Sequence, residues 1–392
     1  MNPETSPADI ESAPPPLAPG GRGHRLSGRQ IAIFATIILA ILLTATTFVC
    51  TTWGFFWQGA AVRKWQIVPF LLSVLFVPTT IIGLRRSDPV LRFLYRISSV
   101  WVGVLSFCVF AAAASWIVLG IVNLAGLDIS RRAIGAPLFA IVALLSIYGI
   151  VNASRIRIRR IDVELPNLPE AWRERRAALV TDLHLGNLNG AHFAAHVVSR
   201  IQRLGPDVVF ISGDLFDGTQ THLDRLAAPL KRLRAPLGVY FVTGNHEEFT
   251  NREQYTKVVE QLGIRVLNNE KVAIENVQVV GVHDGEASEP ELFRYFLKSA
   301  DLDPDRPSIL LAHQPANLRI AEEAGISLQL SGHTHRGQFW PWTLIASRVY
   351  GRFAYGLNRV GNLMVYTSSG VGTWGPPLRI GTQPEIVLLR FL

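Results

Sequence analysis

The chain has 392 residues, 49% of them hydrophobic and only 17% charged, with a formal net charge of +8. That length leaves room for two or three domains. Both cysteines, Cys50 and Cys108, lie inside apolar runs, so no disulfide framework is implied, and much of the arginine excess flanks apolar segments, where membrane topology explains it more simply than nucleic acid does.

In chain order, residues 1–29 are rich in Pro, Gly and Ser without apolar periodicity and predict a disordered tail. Four apolar segments follow, at about 31–51, 66–84, 97–124 and 134–152. A helix rising ~1.5 Å per residue needs ~20 residues to cross the hydrocarbon core, so four spans are expected across a transmembrane domain of residues 30–152. A cleaved signal peptide fits the first segment poorly, because three more follow it. Basic residues next to the spans set the orientation. Eleven lie on one side (Arg22, Arg25, Arg29; Arg85, Arg86, Arg92, Arg96; Arg155, Arg157, Arg159, Arg160) and four on the other (Arg63, Lys64; Arg131, Arg132). The positive-inside rule then predicts a multi-pass protein of the inner (cytoplasmic) membrane, with both termini in the cytoplasm. The spans hold almost no Asp, Glu, Lys or Arg, which gives a transport role no support.

From about residue 153 the pattern becomes α/β. IRIRRIDVEL alternates like a strand with one wet face, and then short apolar runs recur in AALVTDLH, DVVFISGD, GVYFVTGNHE, VQVVGVHD, SILLAHQP and LQLSGHTH. Such runs read as strands buried on both faces. Between them GAHFAAHVVSRIQRLG, REQYTKVVEQLG and PANLRIAEEAG have helical spacing and close on Gly. Polar residues gather at the carboxyl ends of the strands, where an open α/β sheet places its site.

Five strand ends carry groups able to bind metal: Asp182 with His184, Asp214, Asn245 with His246, His313, and His333 with His335. Any one of these alone is commonly a turn or surface residue. Together they supply carboxylate, imidazole and amide oxygen donors, the mixture that borderline divalent metals prefer.

These motifs, TDLH, GDLFD, GNHE, the His of AHQP, and GHTH, resemble those of the calcineurin-like metallophosphoesterases in order and spacing, over about residues 175–390. The closing SSGVGTWGPPLRIGTQPEIVLL is similar to that of a bacterial, membrane-attached subgroup. The resemblance implies an α/β metallophosphoesterase domain over residues 153–392, a two-sheet β-sandwich flanked by helices. It also implies two divalent metal ions, Mn, Zn or Fe. Asp182, His184 and His335 would hold one ion, Asn245, His313 and His333 the other, and Asp214 would bridge them. Two such ions lower the pKa of a bridging water and clamp phosphate oxygens during in-line attack. His246, next to a ligand, would stabilise the transition state or protonate the leaving oxygen.

Asp217 and Glu247 read either as second-layer supports of the ligands or as turn caps, and His283 and Asp284 read as structural. Arg336 stands where many relatives have Gly; its guanidinium either binds phosphate or reaches solvent. VTGNHEE and GDLFDGT lack the arginines of protein serine/threonine phosphatases. The catalytic half has no basic strip interleaved with aromatic residues, so no nucleic acid partner is expected and a nuclease is the weaker alternative. The expected activity is hydrolysis of a phosphodiester or pyrophosphate bond, of a lipid or a nucleotide-linked lipid, beside the bilayer. QFWPW either meets the membrane interface or fills a core. The competing class, a non-catalytic membrane sensor or scaffold, would be expected to show a broken ligand set, and here all seven positions are filled.

Overall fold

The computed structural model describes residues 28–58, 64–249 and 251–392, so the expected tail lies outside the described residues as far as position 27. Four apolar helices come first: α1 (Gly28–Trp57), α2 (Ile67–Gly83), α3 (Pro89–Leu124) and α4 (Arg131–Ala153). Their starts follow from local chemistry. Asp88 caps α3 by accepting the Leu91 N–H, with Pro89 just inside the helix, and Ser130 caps α4 by accepting the Ala133 N–H. Among the described residues three of the four, α1, α3 and α4, are long and apolar enough to cross a membrane, whereas four spans were expected. The shortfall is α2. It keeps 17 residues and ends at Gly83, which gives ~25 Å of helix against a core of ~30 Å.

The helices run antiparallel and are joined by polar contacts in an apolar setting. Thr46 pairs with Ser73 at 2.7 Å, Ser73 accepts Trp101 Nε1 at 2.8 Å, and Thr52 accepts Trp116 Nε1 at 2.9 Å. Hydrophobic driving force between helices is weak in lipid, so packing and bonds of this kind hold a bundle together.

The α/β domain holds twelve strands: β1 (Arg157–Val163), β2 (Arg176–Val180), β3 (Val208–Ser212), β4 (Val239–Val242), β5 (Arg265–Val266), β6 (Glu270–Ile274), β7 (Val277–Gly281), β8 (Ser308–Leu311), β9 (Leu328–Ser331), β10 (Gly356–Val360), β11 (Leu363–Thr367) and β12 (Glu385–Phe391). Among the described residues they form two six-stranded mixed sheets, ordered β1-β12-β2-β3-β4-β5 and β10-β11-β9-β8-β7-β6. All six apolar runs of the sequence are strands, and β1 is the half-wet edge strand that IRIRRIDVEL predicts. Strands β2, β3 and β4 run parallel in the first sheet, as do β7, β8 and β9 in the second, so their carboxyl ends point the same way within each sheet. Leu179, Phe210, Val279, Leu311, Leu330 and Met364 belong to one core between the sheets. Helices such as α5 (Ala191–Leu204) cover the outer face, burying Ala194, Val197, Val198 and Ile201 at helical spacing.

The bundle and the α/β domain are packed together. Leu378, fully buried, lies against Gly103 of α3 and Gly149 of α4, close enough that any larger residue at either glycine would collide with it or its neighbours. Asn152 of α4 donates to the carbonyls of Arg379 and Thr382 at 3.0 and 2.9 Å, and the Arg379 N–H donates to the Gly149 carbonyl at 2.9 Å.

Candidate metal centre

Each candidate ligand stands two to four residues beyond a strand. Asp182 and His184 follow β2, Asp214 follows β3, Asn245 follows β4, His313 follows β8, and His333 and His335 follow β9. Five of these seven turn the chain through left-handed backbone: φ is 55° at Asp182, 48° at His184, 51° at Asp214, 69° at His333 and 47° at His335. Non-glycine residues adopt such angles rarely and at a cost of about 1 kcal/mol or more, and Asp, Asn and His do so more readily than most. Two glycines let the loops meet. A Cβ on Gly213, itself at φ 83°, would strike His313 Nδ1, and one on Gly244 would strike the Asp214 carboxylate.

The loops gather their side chains around Asp214. Its Oδ2 lies 3.1 Å from His313 Nε2 and 3.7 Å from His184 Nε2, while its Oδ1 accepts the His246 N–H at 3.0 Å. On one side, His184 Nε2 faces His335 Nε2 at 2.9 Å, and Asp182 Oδ1 lies 3.5 Å from His335 Nε2. On the other, His333 Nδ1 meets Asn245 Oδ1 at 2.8 Å. Three triads could each hold an ion: Asp182–His184–His335, Asp214–His313–His333 and His184–Asp214–His246. The first gathers the residues expected on one ion, and the second joins Asp214 to two of those expected on the other; the third adds His246, which was expected beside the ions.

The donor set fits two cations. His313 Nδ1 donates to the Ser212 carbonyl at 2.8 Å, which fixes the tautomer and turns Nε2 toward Asp214. His184 Nδ1 is buried and has no hydrogen-bond partner, and buried His313 Nε2 faces the Asp214 carboxylate at 3.1 Å. Between the facing nitrogens of His184 and His335 only one proton, or one cation, can sit. Burial drives the imidazoles of His184 and His335 well below their ordinary range and that of His333 to about 3, keeping all three neutral, as metal ligation requires. Burial alone would push Asp214 up, but the His313 and His246 imidazoles outweigh it and hold the carboxyl well below its usual range. Burial likewise opposes a charge on His313, and Asp214 reverses this and lifts it well above 6.5. The proton so held is one that a cation would displace. Asp182, fully buried, is pushed up to about 6.

A second layer orients the first. Glu247 accepts the backbone N–H groups of Asp214 (3.0 Å), Phe216 (2.8 Å) and Gly244 (2.8 Å), so it ties two ligand loops together, although burial and the Asp214 charge push its carboxyl up to about 8. Asp217 accepts from the Asn187 and Thr219 amides at 3.1 and 2.9 Å, and its carbonyl accepts His246 Nδ1 at 3.1 Å, leaving His246 Nε2 free for the site. His283 is structural: Nε2 donates to Asn268 Oδ1 and Nδ1 accepts the Thr243 N–H. Arg336 is exposed, and its guanidinium lies over the Tyr355 ring, 4.6 Å from the centroid.

The sequence reading missed Arg379 and Asn187. Arg379 is fully buried, donates through Nη2 to the carbonyls of Ser369 and Gly372 at 2.7 and 2.6 Å, and approaches His335 Nδ1 at 3.2 Å. Asn187 links Gly83, at the end of α2, to the Asp217 carboxylate. The only signal of either was a polar residue in a Gly-rich or Pro-rich loop.

Comparison with known proteins bears on the same residues. The calcineurin-like phosphoesterase family matches residues 175–337. A transmembrane protein with metallophosphoesterase domain from Danio rerio is 37% identical over 266 residues, 63% of this chain and 60% of that one. An uncharacterized metallophosphoesterase of Helicobacter pylori is 34% identical over 243 residues, 61% of this chain and 65% of that one. The chain thus spans less than two thirds of the length of these two relatives. An uncharacterized metallophosphoesterase of Aquifex aeolicus is matched over 97% of its length and 64% of this chain, at 31% identity. The chain therefore belongs to the calcineurin-like metallophosphoesterases.

Proposed function

We propose that the protein is a membrane-anchored phosphoesterase that uses two divalent cations, Mn, Zn or Fe, to hydrolyse a phosphodiester or pyrophosphate bond of a lipid or a nucleotide-linked lipid. The observation that carries this reading is Asp214 Oδ2, set between His184 Nε2 at 3.7 Å and His313 Nε2 at 3.1 Å, where one carboxylate oxygen faces both halves of a ligand set. Asp182, His184 and His335 would hold one ion, Asn245, His313 and His333 the other, and Asp214 would serve both. When bound, the pair supplies Lewis-acid polarisation of phosphate oxygens and acidifies a coordinated water.

The chain's own residues do the rest. Asp182 and Asp214 leave two divalent ions with residual positive charge, which draws an anionic phosphate. His246, its Nδ1 proton engaged by the Asp217 carbonyl, presents Nε2 to the site and, as an imidazolium, gives the Nε2 proton to the leaving oxygen, returning to the neutral ring. Arg336 contributes a guanidinium at the rim for a phosphate oxygen. The resemblance to the bacterial membrane-attached subgroup and the eleven-to-four basic asymmetry favour a cytoplasmic domain at the inner membrane. The antiparallel course of four helices, short α2 included, keeps Gly28 and Ala153 at the same end of the bundle.

The test is hydrolysis of bis-p-nitrophenyl phosphate by detergent-solubilised protein, after chelation and again with Mn restored. Diester cleavage that needs Mn and falls by two to three orders of magnitude or more in His335→Ala and Asp214→Asn is expected, roughly the scale of losing a group that stabilises transition-state charge. Mn bound at the site without turnover of diester, monoester or pyrophosphate would overturn the reading in favour of a non-catalytic sensor.

A further inference from the structure

The sequence QFWPW leads from the paired histidines into a short helix, Trp342–Tyr350, with an unusual surface. Trp342, Ile345 and Val349 share one exposed face bordered by buried Ala346, and Val349 is 66% exposed. Trp340 and Leu344 are exposed as well, so large apolar side chains are concentrated on this short stretch, where those of soluble domains are usually scattered singly. The two ends of this stretch are anchored. At its start the Trp340 ring lies 5.0 Å from Phe110, and buried Phe339 lies 5.8 Å from Phe107, both partners belonging to the apolar length of α3. At its end the Tyr350 ring lies 6.0 Å from that of His333. Nine helical residues span ~13 Å, so the helix is a short bridge between the apolar length of α3 and the ring of His333.

The rim of the metal centre has the same character. Phe249 and Trp374 are each more than half exposed, and their rings lie 5.2 and 5.5 Å from that of His246. Gly218 lies between Leu84, at the end of α2, and the His246 ring.

We propose that the Trp342–Tyr350 helix lies in the lipid leaflet on the catalytic side and opens the metal centre onto the layer of phosphate headgroups. The occupant follows from continuity: the exposed apolar face of this helix joins, through Trp340 and Phe110, the surface that α3 presents to the acyl chains. A short helix with Trp at its start, apolar residues outward and exposed Arg348 able to reach the headgroups has the makeup of an interfacial element. The functional meaning rests on the phosphoesterase reading above, since it makes a lipid headgroup phosphate the group nearest the cations.

The experiment places an environment-sensitive fluorophore at one cysteine in the full chain, in a Cys50→Ala, Cys108→Ala background, reconstituted in vesicles of phosphatidylcholine and phosphatidylglycerol. Labels go at Ile345→Cys, at Phe249→Cys on the rim, and at Lys298→Cys, an exposed position on the α/β domain. The label at 345 is expected to shift to the blue and lose intensity with acyl-chain spin-labelled lipid, the label at 249 to respond to headgroup spin label, and the label at 298 to respond to neither. A label at 345 as aqueous as the one at 298 overturns the proposal, as does a blue shift without quenching, which would mean that a second copy or another protein covers the helix. A rim label indistinguishable from the one at 298 overturns the headgroup opening. No arm requires turnover, so this proposal and the phosphoesterase reading fail separately.

Discussion

Five of the seven candidate ligands are held in a backbone conformation that residues other than glycine rarely adopt. Left-handed φ at these five, and at Arg336, marks loops fixed by tertiary contacts rather than local preference. Arg336 separates strain from chemistry, because its side chain stands outside the cluster and rests on Tyr355. Arg336→Gly relieves the φ of 51° and is expected to leave thermal stability unchanged or slightly raised. If the guanidinium binds phosphate, KM for the diester rises with kcat little changed; an unaltered KM confines the residue to its stacking role. His283 offers a pH test away from the ligands. Burial holds its imidazole at about 3 against an ordinary 6.5, so the unfolded chain takes up a proton below about 6.5 that the folded chain refuses until about 3. This contribution to stability is full above about pH 6.5 and is lost progressively as pH falls toward 3. His283→Gln is expected to lower Tm at neutral pH and to shrink the fall in Tm from about pH 7 to about pH 5, read by thermal unfolding in detergent.

At the scale of elements, two hydrogen-bonded chains reach from the bundle into the metal centre. One runs from Gly83 of α2 through Asn187 and Asp217 to His246; the other runs from Asn152 and Gly149 of α4 through Arg379 to His335. Removing a donor from a buried carbonyl costs about 1–3 kcal/mol. Asn152→Ala strips donors from two carbonyls, so it should lower Tm by several degrees and weaken Mn binding measured by calorimetry, although it touches no ligand. Arg379→Met should act more strongly, with metal affinity down by about 10- to 100-fold, the usual range for groups that support a ligand. These chains also mark the boundary of what the sequence discloses. Asp182, Asp214, Asn245, His313, His333 and His335 are legible because each follows an apolar run long enough to be a buried strand, and an open sheet collects strand ends. Arg379 is not legible, since a lone arginine after Gly-Pro-Pro-Leu carries no periodicity to say that it is buried. Nor is the length of α2, because residues 66–84 are apolar enough for a span while the helix begins only at Ile67, with Gln66 turned to bond the Cys50 carbonyl. The pairing of β1 with β12, from opposite ends of the domain, is likewise invisible to local pattern.

For the whole molecule, the bundle is a structural partner of the α/β domain and not only a tether. Leu378 and Phe339 are buried in one apolar cluster with Leu105, Phe107 and Phe139, so a chain starting near residue 154 would expose them. Such a truncation is expected to aggregate without detergent and to lose metal affinity even where it stays folded, as size-exclusion chromatography and metal titration would reveal. The domain boundary expected near residue 152 is thus a boundary of composition, crossed by tight packing. Arg379 draws the consequence furthest. Its guanidinium meets a candidate metal ligand, while its own peptide group bonds α4. Two processes that share one rigid residue are thermodynamically linked, and linkage is reciprocal. A change in bilayer thickness that shifts Arg379 through α4 is expected to change cation affinity, and loading the cations is then expected to change the grip of the helices on the domain by the same factor.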